Sequence, residues 1–321
     1  MRYIFFLLLI VTTARAQQTK SLNNQYFNQP VPADSAVIFA EGIISDQFGN
    51  RDMAISPNGD EMFYTLQSSN GVVNAILYSK KINGKWTAPE VASFSGLYSD
   101  MEPAFSPDGN KLYFSSNRSL SGVGKRKDYD IWFVTKDHGA WVNAENIGAP
   151  VNSDKNEYYA SVAKSGNIYF TRAVENRDED IMICRFENNR YQSAESLPDE
   201  INSTADEFNA FVDPDEKFIL FSVYGKADDI GGGDIYISKK DNNGKWLAAY
   251  NLGNKINSPA LDYCPYITPN KNYFFFTSNR SNLKIPFEKR KTLQNLHTVL
   301  NATLNGSDNI YWMRANEIIG R

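Results

Sequence analysis

The sequence predicts an all-β protein, a β-propeller of four-stranded antiparallel blades, and three observations support that fold class. First, one segment recurs five times, with copies that begin at Asp52, Asp100, Glu157, Glu207 and Asp262. Second, a turn falls at the same place in each copy, at Pro57, Pro107, Lys164, Pro214 and Pro269. Third, β-rich runs follow one another in the same order around each turn. A segment that recurs at nearly constant spacing along the chain indicates a repeat architecture. Four antiparallel strands repeated around an axis form the blades of a propeller.

Each copy predicts four strands in a fixed order. A short apolar or alternating run ends in Ser-Pro-Asn-Gly, Ser-Pro-Asp-Gly or a variant, which indicates a type I turn between antiparallel strands. A β-rich run follows, as at Leu112–Ser115, and a third strand begins at an acid, as at Asp130. A Gly/Asn-rich turn then leads to a fourth strand headed by an aromatic residue, as at Trp141. A two-layer sandwich also has many short strands, but it does not predict this order five times.

The two ends of the chain predict how the ring closes. The fifth copy has a third strand at 310–314 but no fourth, whereas residues 37–45 resemble the fourth strands of the other copies. We expect residues 37–45 to complete the last blade, which removes exposed sheet edges. The propeller domain then spans residues 37–315, with repeats that start near 50, 100, 157, 207 and 262, a flexible lead-in at 17–36 and a tail at 316–321. Five blades use this sequence fully, and six blades rank second because no unassigned segment remains.

The repeat motifs resemble a known family. Three segments of the second copy are similar to the PD40, or WD40-like, repeat of bacterial propellers related to TolB. They are Ser-Pro-Asp-Gly at 106–109, Leu-Tyr-Phe-Ser-Ser-Asn-Arg at 112–118 and Asp-Ile-Trp at 130–132. The fifth copy, at 262–280 and 308–313, resembles exported propellers of Bacteroidetes-type bacteria. The resemblance covers about residues 37–315 and implies the fold. Related repeats occur in scaffolds, peptidases and polysaccharide lyases, so the resemblance implies no single activity.

The N-terminus predicts export. Residues 1–16 combine Arg2, an apolar core at 4–11 and a small-x-small site at Ala14-Arg15-Ala16, which is typical of a signal peptide cleaved after Ala16. No later segment reaches the length of a transmembrane helix, so we expect a periplasmic or extracellular protein. Loss of Arg2 and Arg15 takes the formal charge from −4 to about −6, which argues against nucleic acid as a partner. The two cysteines, Cys184 and Cys264, fall in different blades and are expected to be buried thiols.

Repeated charged residues are candidates for a site on the face that carries the interblade loops, called the top face here. Weak catalytic candidates are the acids at the starts of four first strands, Asp100, Glu157, Glu207 and Asp262. Binding candidates are the arginines at the ends of second strands, Arg118, Arg172 and Arg280. A group repeated in every blade more simply fixes loops, and the arginines can pair with the acids. Glycoside hydrolysis needs two carboxylates about 5–10 Å apart, so it remains the enzymatic alternative.

Loops that break the repeat are the better place for function. The largest is the insertion at 283–305, where Pro286 and a leucine pattern predict a helix near 287–304 that lies on blade five. Two basic groups are binding candidates, Lys289, Arg290 and Lys291 in this insertion and Lys125, Arg126 and Lys127 in blade two. Asp228, Asp229 and Asp234 flank a Gly run and are weak metal candidates, since they lack the order of a calcium-binding EF-hand loop.

Known catalytic motifs are not recognisable in the sequence. The chain has two histidines, His138 and His297, and neither belongs to a Cys/His cluster with zinc spacing. No Gly-x-Ser-x-Gly elbow is present. We therefore expect a non-catalytic, exported and monomeric binding propeller of the cell envelope that needs no cofactor and recognises a protein, peptide or glycan on its top face. A carbohydrate-active hydrolase or lyase is the alternative.

Overall fold

Five sheets arranged around one axis confirm the predicted propeller. The computed structural model describes residues 26–32, 34–121, 128–174 and 177–320, without the side chains of 177 and 178. The first strands of neighbouring blades contact one another around the ring. The innermost strands of the blades are β2 (Gly49–Ile55), β7 (Asp100–Phe105), β11 (Glu157–Val162), β17 (Asp206–Val212) and β21 (Asp262–Ile267).

The second and third strands complete the regular part of each blade, with antiparallel pairing throughout. The second strands are β3 (Glu61–Gln67), β8 (Lys111–Ser116), β12 (Ile168–Val174), β18 (Phe218–Tyr224) and β22 (Tyr273–Ser278). The third strands are β4 (Asn74–Ile82), β9 (Asp130–Asp137), β13 (Arg177–Cys184), β19 (Asp234–Lys239) and β23 (Asn309–Arg314). The apolar side chains of these strands pack between adjacent sheets and form the hydrophobic core.

The outer strands differ from the prediction in four of the five blades. In blade two, β10 (Ala140–Asn146) runs on from Trp141 as expected. In blades one and three the aromatic residue instead lies in a separate strand that extends the third strand, β5 (Lys85–Trp86) or β15 (Arg190–Tyr191, paired with β14, Phe186–Glu187). The outer strands proper are two residues long: β6 (Glu90–Val91), β16 (Glu195–Ser196) and β20 (Tyr250–Asn251).

The N-terminal strand closes the ring as the sequence predicts. Strand β1 (Val37–Ile38) pairs antiparallel with β23, so the last sheet has the order β1-β23-β22-β21. The strand is shorter than the predicted 37–45. Phe39 N still donates to Ile310 O (2.8 Å), and the Ser45 hydroxyl then accepts a hydrogen bond from Ile310 N (3.2 Å).

A repeated asparagine ties each of three third strands to the loop that follows its blade. Asn152 accepts a hydrogen bond from Ile131 N (2.8 Å) and donates one to Ile131 O (2.9 Å). Asn202 makes the same pair with Ile181, and Asn257 makes it with Ile235. All three side chains are buried, so the repeated asparagine satisfies a backbone N–H of the third strand and shares the carbonyl of the same residue with a backbone N–H of the outer segment.

The insertion in blade five contains a shorter helix than predicted. Helix α1 spans Leu293–Leu300. Its N-cap is Thr292, whose hydroxyl accepts a hydrogen bond from Asn295 N (3.2 Å). Pro286 is not its first residue, because this hydroxyl cap sets the start six residues later. Of the predicted leucine stripe, Leu304 beyond the helix packs against the core, but α1 itself buries no side chain and Leu293 and Leu300 are exposed. A short helix α2 (Asn316–Ile319) lies at the end of the described chain. None of the helices in the described residues is long and apolar enough to cross a membrane.

Candidate functional site

A β-bulge at the same place in every first strand controls what lines the central channel. In blade one Arg51 pairs with Thr65 and Ala54 with Phe63, so two residues, Asp52 and Met53, oppose one. The bulge residue has a positive φ in all five blades: Asp52 (63°), Glu102 (61°), Tyr159 (49°), Asn209 (50°) and Cys264 (52°). None is glycine, so the surrounding structure must hold this strained conformation.

Hydroxyl groups of the preceding blade hold four of these bulges. The backbone N–H of Asp52, Glu102 and Asn209 donates to Thr277, Thr65 and Thr171 respectively, at 3.0–3.3 Å. Tyr159 N donates to Ser115 Oγ (3.2 Å). Ser222 holds the corresponding place before Cys264, but its buried hydroxyl has no hydrogen-bond partner within the described chain. The bulges thus join neighbouring blades and fix three layers of side chains along the channel.

The top layer lines an open cavity of about 360 Å³. It consists of the residues just before the bulge: Arg51, Met101, Tyr158, Phe208 and Tyr263. Gln67, Asn74 and Glu179 near strand ends and Gly71, Tyr129 and Leu261 in loops complete the wall. The Arg51 guanidinium lies over the Tyr263 ring at 5.0 Å, and Tyr129 packs against Tyr158 with ring centroids 5.3 Å apart. The mouth therefore combines aromatic surfaces with amides and charged groups.

The middle layer is a hydrogen-bonded partition made of the five bulge residues. Arg51 Nε contacts Asp52 Oδ1 (2.8 Å) and Arg51 Nη2 contacts Glu102 Oε1 (2.9 Å). Asn209 Nδ2 also donates to Glu102 Oε1 (3.2 Å), while Glu102 Oε2 accepts from Ser115 Oγ (2.8 Å) and Tyr159 N (2.9 Å). The partition connects all five blades, because Cys264 contacts Asn209 and Arg51, and Tyr159 OH donates to Pro265 O (3.0 Å).

Burial sets the electrostatics of this partition. Burial raises the pKa of Glu102 above that of an exposed glutamate, while Arg51 and the hydrogen bonds from Ser115 and Tyr159 lower it. Burial also raises the pKa of Asp308, which lies near Arg51 and is hydrogen-bonded by Tyr263. The pKa of the Cys264 thiol lies well above its usual value, because of burial and then the Asp52 carboxylate. The thiol is therefore protonated at neutral pH and is no nucleophile.

The bottom layer lines a second cavity, of about 230 Å³, on the opposite side of the partition. It consists of Ala54, Ala104, Ser161, Phe211 and Tyr266, each two residues after its bulge. The turn residues Pro57, Pro107, Lys164, Pro214 and Pro269 form its rim. Glu102 lines both cavities, so the partition is the floor of each.

The predicted acids and arginines pair within their own blades rather than forming one site. Arg118 bonds Asp100 (2.6 Å), Arg172 bonds Glu157 (2.8 Å) and Arg280 bonds Asp262 (2.8 Å). Glu207 accepts a hydrogen bond from Ser203 Oγ (2.5 Å). All four acids are fully buried, and none of these seven residues lines either cavity. The repeated charges therefore hold the loops that start each blade.

The remaining candidates lie apart from the channel. Asp228 and Asp229 accept from Tyr236 OH (2.7 and 3.0 Å), and Asp234 Oδ2 accepts from Ile230 N (2.7 Å). These bonds fix their own loop, and no group of three or more His, Cys, Asp or Glu that could hold a metal occurs among the described residues. Lys289, Arg290 and Lys291 lie in the insertion, away from both cavities. Lys125, Arg126 and Lys127 fall outside the described residues, as does the predicted signal peptide at 1–16.

Sequence reasoning missed the channel layers. Aligning the five copies on their turns places Asp52, Glu102, Tyr159, Asn209 and Cys264 in one column. That column holds five different residue types, whereas the acid two residues earlier is nearly the same in every copy. A column that varies within a regular repeat was the available signal, but the sequence does not show that it faces the axis.

Comparisons with known proteins found similar solved structures but no matching family model or curated sequence. TolB from Acinetobacter baumannii is 15% identical, with a TM-score of 0.46, over 84% of this chain and 57% of its own. The GH43 endo-arabinanase from Bacillus licheniformis is 14% identical, with a TM-score of 0.45, over 84% of this chain and 94% of its own.

A third structure matches with a higher TM-score. A structure described as a complex of BT0996 and RGII is 7% identical, with a TM-score of 0.54, over 93% of this chain and 95% of its own. The structure of the present chain is a five-bladed β-propeller, and the solved structures that it is similar to include TolB-type propellers, glycoside hydrolases and peptidases. It spans less than two thirds of the Acinetobacter TolB. At these identities the likeness shows the fold alone.

Proposed function

We propose that this chain is an exported, non-catalytic propeller of the PD40 type, which serves as a binding module of the bacterial cell envelope and holds an uncharged glycan in its top cavity. The observation that carries the proposal is the wall of that cavity. Tyr129, Tyr158, Phe208 and Tyr263 provide ring surfaces and Gln67 provides an amide, while the amides of Asn74 and Asn209 are already bonded to the protein. Ligand sites of this kind combine aromatic surfaces with a few fixed polar groups, and a sugar offers both an apolar ring face and hydroxyl groups.

The charge of the cavity favours an uncharged ligand over an anionic one. Arg51 is the cation among the described lining residues, and it is already paired with Asp52 and Glu102. Glu179 also lines the wall, and Asp308 lies near Arg51. The carboxylates therefore outnumber the guanidinium, so an anionic ligand would meet net repulsion.

The arrangement of Glu102 favours binding over catalysis. A general acid must donate its proton to the substrate, and a nucleophile needs a free oxygen. Each oxygen of Glu102 already accepts two hydrogen bonds from the protein. Substrate attack would break the partition that joins the five blades.

A glycan-binding screen tests this proposal. The mature protein is expected to bind neutral envelope polysaccharides or their fragments in affinity electrophoresis and calorimetry. Replacing Tyr158 or Phe208 by Ala removes stacking surface and should weaken binding. Tyr250→Ala, at an exposed tyrosine outside the cavity, is the matched control and should bind as the wild type does. Binding to none of the glycans, or equal binding by Tyr158→Ala, contradicts the proposal. Capture of an envelope protein that depends on 283–305 instead would indicate a protein partner.

A carbohydrate-active hydrolase remains the second candidate, on different residues from those the sequence singled out. Asp52, Glu102 and Asp308 surround Arg51, and burial raises the pKa of two of them, Glu102 and Asp308. Glycoside hydrolysis uses a pair of carboxyl groups, of which the general acid has a raised pKa. Cleavage of a bound glycan, lost in Asp308→Asn without loss of binding, would favour this function over the binding module.

A further inference from the structure

The bottom cavity is a well that is closed at its inner end and lies off the axis of the propeller. Its bottom-layer residues are small in blades one to three, namely Ala54, Ala104 and Ser161, and aromatic in blades four and five, namely Phe211 and Tyr266. The free space therefore lies against the first three blades. Met53, Ile55, Val162 and Ile267 add further apolar wall, and the Glu102–Tyr159 partition closes the inner end. The same position holds a different side chain in different blades. The repeat by itself would give a symmetric channel, so it does not account for this well.

The hydroxyl groups of Tyr266, Ser161 and Tyr159 in the wall are already bonded to the protein backbone. Tyr266 OH donates to Ile55 O (2.9 Å) and accepts from Ile55 N (3.1 Å). Ser161 Oγ accepts from Val212 N (2.9 Å), and Tyr159 OH donates to Pro265 O (3.0 Å). A polar ligand would lose its hydration in this well without gaining partners, which is unfavourable.

The charges at the rim are paired as well. Lys164 Nζ lies 2.8 Å from Asp215 Oδ1, and Lys271 Nζ lies 2.6 Å from Asp213 Oδ1. An ionised ligand would have to displace one of these carboxylates to reach a lysine. The rim therefore does not select a charged head group.

The volume sets the size of the occupant. An apolar cavity of about 150 Å³ in another protein stays dry and binds benzene. The present well is about 230 Å³, so it has room for a larger group, on the scale of two fused rings. Water gains few hydrogen bonds from such a wall, so an apolar molecule can replace it at little cost.

We propose that the bottom cavity is a second binding site, which takes a small, uncharged, apolar molecule about the size of a bicyclic aromatic. The site is separate from the glycan cavity and does not depend on the function proposed for it. The partition between the two cavities means that neither ligand blocks the other.

Methionine methyl groups report on the two cavities separately. Of the six methionines, Met53 lines the bottom cavity and Met101 lines the top cavity, while Met62 and Met313 are fully buried in the core. Indole, added to mature protein labelled with carbon-13 at its methionine methyl groups, should shift the Met53 resonance in a saturable way. The Met101 and Met313 resonances should not move. Indole-3-acetate, the charged analogue, should bind more weakly than indole.

Filling the well should remove this binding. Ala104→Phe places a ring in the free space and is expected to weaken indole binding by about tenfold or more. Ala140→Phe, the same substitution at an exposed alanine of a hairpin, should bind indole as the wild type does. Should Ala104→Phe not fold, Ala104→Val narrows the well with less strain and should lower the affinity by a smaller factor.

Several results would overturn the proposal. One is the absence of a saturable shift of the Met53 resonance up to the solubility limit of indole. Another is equal affinity of the wild type and the Ala104 variants for indole. A third is a higher affinity for indole-3-acetate than for indole. A glycan that shifts Met101 while indole leaves Met53 unmoved would refute this inference and leave the proposed function intact. The reverse result would refute the glycan site alone.

Discussion

Arg51→Met is expected to destabilise the propeller strongly, because it removes a side chain that pairs with two channel carboxylates at once. Methionine replaces the apolar stem of arginine but has no guanidinium, and therefore no charge and no donor. Arg51 contacts Asp52 at 2.8 Å and Glu102 at 2.9 Å, and the side chains of these acids are 1% and 4% exposed. Removing one partner of a buried ion pair costs about 3–5 kcal/mol, because the other charge stays buried.

The pH dependence of this loss follows from Glu102. Its pKa in the folded protein is already raised by burial, and Arg51 acts to lower it. Without Arg51 the folded-state pKa rises further above the unfolded value of about 4.3. A carboxyl group with a raised folded pKa contributes stability at pH values below its unfolded pKa, and this contribution is lost as pH rises through the folded pKa. The deficit of Arg51→Met should therefore be smaller at pH 5 than at pH 8.

Urea unfolding followed by tryptophan fluorescence measures both effects. Arg185→Met is the matched control, since Arg185 pairs with Glu195 at 3.3 Å with both side chains at least half exposed. Pairs of that kind contribute about 0–1 kcal/mol. If Arg51→Met loses no more stability than Arg185→Met, or if its deficit grows as pH falls from 8 to 5, the partition is not held by a buried charge network.

Three further predictions concern the scaffold, each measured as the free energy of unfolding in urea. Ser115→Ala should cost about 1–3 kcal/mol because it takes a donor from Glu102 and an acceptor from Tyr159. Ser222→Ala should be nearly neutral, because the Ser222 hydroxyl has no partner among the described residues. Equal losses of stability in the two variants would refute the role of the bulge hydroxyls. Asn202→Ala should cost about 1–3 kcal/mol because the backbone N–H of Ile181 loses its acceptor, while Ile181 O keeps Leu197 N as a donor. The exposed Asn254→Ala serves as its control. Replacing residues 284–301 by a short glycine–serine linker should change stability by about 0.5 kcal/mol or less, since α1 buries no side chain; a larger loss would show that the insertion packs on the blade.

The scaffold could be predicted in detail because its determinants are local and repeated. The turn at Pro57 and its four counterparts separates two strands that are neighbours in sequence, so a few residues suffice to specify it. The interpretation of Asp100 and Arg118 as loop-fixing partners follows the same logic, and their 2.6 Å ion pair is present. The leucine pattern of the insertion misled because helical periodicity indicates one apolar face but not what covers it. There, Thr292 caps a shorter helix whose Leu293 and Leu300 face solvent.

The sequence by itself determined the blades, their number and the closure of the ring, because each depends on contacts between segments adjacent in the chain or on one repeated pattern. Only the tertiary structure decided the candidate sites. Asp52, Glu102, Tyr159, Asn209 and Cys264 come from five blades, and no pair of them is adjacent in sequence. They meet because a bulge with positive φ turns each one toward the axis and because ring closure brings blade five beside blade one. The two cavities exist through that convergence, which no local pattern encodes.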